Sequence, residues 1–217
     1  MTDVPKQPRI RARVTNEVVD YPHGLLKSAA WWMHERLKKA CEGDASKEGS
    51  TLDCVALLTL TAFTLEGYAN ALGWHRLRAA PEQWERFEKQ RTRDKIKELA
   101  RCYGLSLDWN KRPFSTLSDL IDARNTFAHP KAAPAPNPER IIEGTHDELV
   151  RMLRNHKADY EKWVEWDFVN RAYLDVEAAW EALREASGVH PLELCSGGSQ
   201  SIEALERIEA DGTATRL

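Results

Sequence analysis

Within six residues the chain carries Arg124, Asn125 and His129. These are three of the group types that phosphate chemistry uses. A guanidinium grips a phosphate through two parallel N–H bonds and stabilises charge that builds on it. An imidazole takes up and releases protons near neutral pH. A carboxamide both donates and accepts, so it can hold an oxygen or orient a ring. Cleaving an RNA backbone without a metal asks for this combination: a base for the 2′-hydroxyl, an acid for the departing 5′-oxygen, and a cation for the phosphorane.

The stretch that positions them, Ser115–Pro130, reads as a helix. Ser115 or Thr116 can cap it, and Leu117, Leu120, Ile121 and Ala128 trace an apolar stripe. At roughly 100° per residue, Arg124 falls near the middle of that stripe, with Asn125 and His129 on its flank. Pro130 ends the helix by disfavouring helical geometry at His129.

An inward arginine needs a partner. The helix from Ser50 to about Trp74, opened by a Ser50/Asp53 capping box, is apolar on nearly every face and belongs in the middle of a bundle. Glu66 and Asn70 interrupt it, four residues apart on one face. A carboxylate there is costly unless paired, and Arg124 is the outstanding candidate. Glu66 either seals Arg124 within the fold or orients it toward a ligand.

The remaining chain supplies the bundle. Gly24–Glu42 reads as a first helix and Pro81–Tyr103 as a third. The second half of that third helix is the most basic region and includes Arg91, Arg93 and Lys95, candidates for contacting an RNA backbone. A Thr145/Glu148 capping box begins a long helical segment that runs toward Ser187, with a break near Trp166–Asn170, and Gly188 ends it. Gly43–Gly49 reads as a polar loop and Pro130–Pro138 as a proline-rich connector. No stretch reads as a strand. The expected class is all-α, a bundle of four to five core helices in one domain over 21–188. A basic, poorly packed arm over 1–20 precedes it, and a tail over 189–217 with a short helix at Ser201–Ala210 follows.

A formal net charge of −3 excludes a polybasic nucleic-acid binder, so any anion must meet a local patch. The four cysteines are widely spaced, and Cys54 and Cys102 read as small buried hydrophobes. The scattered histidines read as surface or interface residues, with no metal site expected. No nucleotide-loop, hydrolase or metalloprotease motif is present, and no cofactor is implied. The best apolar run, Cys54–Leu65, is too short to span a membrane, and with no signal peptide a cytoplasmic location is the expectation.

The run Arg124-Asn125-Thr126-Phe127-Ala128-His129-Pro130 resembles the RxxxxH motif of the HEPN superfamily (higher eukaryotes and prokaryotes nucleotide-binding). The polar residue after the arginine, the proline after the histidine and the preceding helix with Glu66 and Asn70 extend the likeness across roughly Gly24 to Ser187. The resemblance implies a small α-bundle that forms a homodimer and brings two motifs into one cleft. It implies metal-independent ribonuclease activity, as in many toxins and anti-phage effectors, and a cognate antitoxin as a partner. It equally admits a non-catalytic member that binds a nucleotide or protein. A purely structural bundle, with Arg124 sealed by Glu66, is the third reading.

Overall fold

A computed structural model describes residues 9–43, 50–130, 141, 143–154, 159–208 and 214–216. The chain divides into two compact units, Pro22–Leu194 and a smaller one formed by 1–21 with 195–217.

The larger unit is all-helical among its described residues. Its helices are α1 (His23–Glu42), α2 (Ser50–Leu77), α3 (Pro81–Glu88), α4 (Thr92–Cys102), α5 (Phe114–Ala128), α6 (His146–Arg154) and α7 (Trp166–Ser187). α2 is the hub. It packs against α1, α3, α4, α5 and α7, which is why its sequence is apolar all round. Leu57, Leu58, Leu65, Leu72 and Tyr68 are fully buried along it. By length and composition α2 could also cross a membrane, with a mean hydropathy of 1.3 over its best window. This differs from the expectation of too short a run, because the threonines that interrupt it are nearly neutral in hydropathy. Half of that window is buried inside the bundle.

α1 runs antiparallel to α2, with Arg36 forking onto both oxygens of Asp53 at 2.7 and 2.6 Å. At the other end Tyr68 stacks on Trp180 of α7 with centroids 4.2 Å apart. His23 fits edge-on to Tyr68 at 5.5 Å. His23 and His34 are buried core residues, against the expectation of surface or interface positions. His34 stacks on Tyr173 at 4.2 Å and its Nε2 donates to Asn170 Oδ1 at 2.8 Å, so ring packing makes an imidazole tolerable in the core. Cys54 is buried as expected, whereas Cys102, in the last turn of α4, is exposed.

The expected third helix is two helices. Pro81 starts α3 in the first-turn position that suits it. Arg91 is extended (φ −67°, ψ 145°) and starts α4 anew. The polar run Lys89-Gln90-Arg91 offers no apolar residue to hold a continuous helix on the core. The break lets Phe87 pack against Gly73, where an added Cβ would lie 2.1 Å from the ring.

α5 begins after Pro113 with no side-chain cap; Ser115 lies inside the helix and Thr116 is buried in it. Its start is fixed instead by Arg112, whose Nε and Nη2 donate to the buried Asp175 of α7 at 2.9 and 2.8 Å. The Thr145/Glu148 box is present: Thr145 N–H donates to Glu148 Oε2 at 2.8 Å. The long segment after it breaks into α6, a 3-10 turn at Asp159–Trp163, and α7, so the interruption precedes Trp166 and the expected break at Trp166–Asn170 is the first turn of α7. Gly188 (φ 68°) ends α7 in the left-handed conformation that glycine adopts without strain. The polar loop and the proline-rich connector fall outside the described residues, apart from Gly43 and Pro130.

The smaller unit corrects the reading of both chain ends. Arg9–Val19 is strand β1, Gly197–Ile208 is β2 and Ala214–Arg216 is β3, in antiparallel order β1-β2-β3. The described parts of the expected arm and short helix, Arg9–Val19 and 201–208, are paired strands. Ile10, Ala12, Val14 and Val18 alternate with Arg9, Arg11 and Arg13, a period of two that the charges obscured. Arg11 meets Glu206 at 2.8 Å and Arg13 meets Glu203 at 3.0 Å across the pair.

Candidate functional site

Three helices converge on Glu66. From α5, Arg124 Nη2 donates to Glu66 Oε2 at 2.8 Å. From α4, Lys95 Nζ lies 3.6 Å from Glu66 Oε1 and donates to Asn70 Oδ1 at 2.8 Å. Asn70 and Glu66 share one face of α2, so a single α2 turn receives both cations. Arg124 Nη1 also donates to Asn125 Oδ1 at 3.1 Å. Its guanidinium stands 5.7 Å from the Phe63 ring centroid.

Charge and burial decide what the cluster can do. Lys95 is 1% exposed. The side chains of Arg124 and Glu66 are 29% and 31% exposed. Two cations share one carboxylate, so the group carries a net positive charge, and Arg124 is the cation of the two that reaches solvent, beside a Glu66 side chain exposed to a similar degree. An anion approaching from outside meets a guanidinium already oriented from behind.

His129 is the exposed C-cap of α5, and its backbone N–H donates to the Asn125 carbonyl at 3.0 Å. The Asn125 side chain turns to Arg124, not to the His129 ring. The motif therefore consists of a guanidinium braced from two sides and an imidazole presented to solvent just beyond it.

The basic candidates do not form one surface. Lys95 faces inward on α4, so it braces the cluster and cannot line a groove, as it was expected to do. Arg93, two residues away, points the other way and lies 4.5 Å over the Trp109 ring, with Lys97 at 6.0 Å. Arg91 is exposed at the start of α4.

The chain matches no family model, no curated protein and no solved structure.

Two participants escape a reading by motif alone. Lys95 occupies the stripe that includes Leu99, four residues on, and that inward position was visible in the helical period. Phe63 is 42% exposed and Leu52 is exposed, on a helix otherwise made for burial. Leu52, Ala56, Thr59, Phe63, Glu66 and Asn70 follow one another at steps of three and four, the spacing of a helix–helix seam. Among the described residues, no three histidine, cysteine, aspartate or glutamate side chains gather as metal ligands do.

Proposed function

We propose that this chain is a HEPN-like, metal-independent endoribonuclease that works as a homodimer. The observation that carries the reading is the braced guanidinium. Glu66 Oε2 holds Arg124 at 2.8 Å while Lys95 Nζ lies 3.6 Å from the other oxygen, leaving net positive charge on the helix that the exposed His129 caps. The open seam of α2 supports the dimer. It carries Leu52 and Phe63 up to Glu66, so a second copy lying along it brings its own Arg124 and His129 to the same cleft.

In that cleft His129 of one protomer takes the proton of a 2′-hydroxyl, and the oxygen attacks the adjacent phosphorus. His129 of the other protomer protonates the 5′-oxygen as the P–O bond breaks. The products are a 2′,3′-cyclic phosphate and a 5′-hydroxyl. Arg124 from each chain carries the charge on the phosphorane, and Asn125 holds Arg124 in its plane. Arg91 meets the flanking backbone. Such an enzyme would be held in check by an antitoxin protein and would act on cytoplasmic RNA.

Incubation with single-stranded RNA in excess EDTA tests the reading. Cleavage with cyclic phosphate ends is expected from the parent and from neither His129→Ala nor Arg124→Ala. Cleavage by both variants at the parental rate rejects it.

One observation favours a second reading. No side-chain hydrogen bond links His129 to Arg124 or Asn125, and a cleft of braced arginines without an aligned base binds a nucleotide or protein partner without cutting. That module would retain RNA or nucleotide in an Arg124-dependent manner and release no fragments between pH 6 and 9.

A further inference from the structure

Among the described residues β1 lies at the edge of its sheet, paired with β2 on one side only. It runs uninterrupted for eleven residues, because the register irregularity opposite Arg11/Ala12 places the extra residue on β2. Its apolar side is open, with Val14 68% and the cross-strand Ile202 76% exposed. A long edge with an open apolar row is an invitation to another strand, and proteins that leave one usually cover it.

The sequence of β1 says which strand fits. The strand spans Arg9–Val19, so Val14 is its midpoint. Turned about a two-fold axis through Val14, the strand meets its own copy antiparallel over its full length. Val14 then faces Val14 of the second copy, and Ile10 faces Val18. Position 11, an arginine, falls opposite position 17, a glutamate. Opposed residues in an antiparallel pair project to the same side, so the apolar rows of the two copies join. Sliding by two residues toward the N-terminus sets Arg11 against Arg13, and like charges directly opposite are unfavourable. Sliding by one in the same direction sets Arg13 against itself and buries no apolar pair beyond Ala12 with Val14. Sliding by one toward the C-terminus still opposes positions 13 and 17 but sets Val14 against position 16 and Ile10 against Asp20. Sliding by two that way pairs Val14 with Val18 but opposes no arginine to a glutamate, so only the register about Val14 joins both the apolar and the charged pairs.

We infer that β1 is a self-association edge, pairing with β1 of a second copy of this chain about Val14 to give a continuous six-stranded antiparallel sheet. This inference does not rest on the ribonuclease reading, since no residue of the helical cluster takes part.

Cysteine crosslinking in the full-length chain reads the register. Opposed Cα atoms lie about 4.5–5.5 Å apart, within disulfide reach. In the proposed register the two copies of residue 12 are about 13 Å apart. Under mild oxidation Val14→Cys is expected to shift most of the chain to the mass of a disulfide-linked dimer. Ala12→Cys alone is expected to stay at the background of the parent chain, which has cysteines of its own. A mixture of Ala12→Cys and Asn16→Cys is expected to crosslink, since 12 and 16 are opposed, and it reads the same register if Val14→Cys does not fold. Far-ultraviolet circular dichroism identifies folded variants. No crosslinking by either route, or equal crosslinking by Ala12→Cys alone, overturns the inference. So does a strand from a different protein occupying the edge, which leaves Val14→Cys uncrosslinked. The Phe63→Glu variant, aimed at the α2 seam, leaves the Val14→Cys crosslink intact.

Discussion

Arg124 and Lys95 approach one carboxylate from opposite sides, Arg124 on Glu66 Oε2 and Lys95 near Oε1. The two cations belong to different helices, so Glu66 fixes the spacing of α4 and α5 on α2 as well as the direction of the guanidinium. Replacing Glu66 with Gln leaves both cations without their anion, and the buried Lys95 suffers most. Because Glu66 is partly solvated, the expected loss is about 1–3 kcal/mol, less than for a fully buried pair. Urea unfolding of Glu66→Gln beside the parent measures it. If Glu66 also aims Arg124, RNA or nucleotide affinity falls in the folded variant as well.

Gly73 lies where Phe87 crosses α2. An added Cβ would meet the ring at 2.1 Å, and Phe87 is itself almost wholly buried, so the ring has little room to move. Gly73→Ala is expected to cost about 1–3 kcal/mol through overpacking, despite alanine's better helix propensity. A lowered midpoint in thermal or urea unfolding checks this. A gain in stability would show that α3 can shift freely.

His23 gives the bundle an acid sensitivity. It is packed against Tyr68 and Trp180, and burial first, then the nearby Lys27, lower its pKa from 6.5. The native state therefore keeps His23 neutral at pH values where the unfolded chain has already bound the proton. Stability is fully present above about pH 6.5 and declines as the pH falls toward the depressed native value. The slope from this group is at most about 1.4 kcal/mol per pH unit. His23→Gln, compared with the parent in urea at pH 7.5 and 5.5, is expected to show the smaller change.

The open seam of α2 makes a prediction about assembly. Phe63→Glu places a charge in the middle of the row that leads to Glu66, and in a dimer the two copies of the substituted position meet or nearly meet. If two copies associate along this seam as proposed, that association is expected to weaken by at least tenfold, about 1.4 kcal/mol, as read by sedimentation at several concentrations. Unchanged association would place the contact between helical bundles elsewhere.

The bundle was legible in the sequence because burial on α2 leaves a direct trace. Nearly every position is apolar, and the two exceptions mark where other helices bring charge. Glu66 and Arg124 found each other by the same reasoning, since each is costly alone on an apolar stripe. Lys95 was misplaced because a basic run looks like a solvated face until its helical phase is followed residue by residue. The split between α3 and α4 was hidden because good helix formers cross it, and only the lack of apolar anchors at Lys89-Gln90-Arg91 betrays it. β1 was missed for a different reason. Its charged side is paired with β2 some 190 residues away, and such long-range ion pairs have no local signal.

That long-range pairing sets an order on the making of the protein. β1 leaves the ribosome before the helical bundle, and β2 is made only after it. At roughly 5–20 residues per second, β1 waits on the order of ten seconds or more without the strand it is meant to join. Throughout that interval Ile10, Val14 and Val18 are open to whatever strand comes near, including the same segment of a neighbouring nascent chain. Arg11 and Arg13 likewise stay without Glu206 and Glu203 until β2 is made.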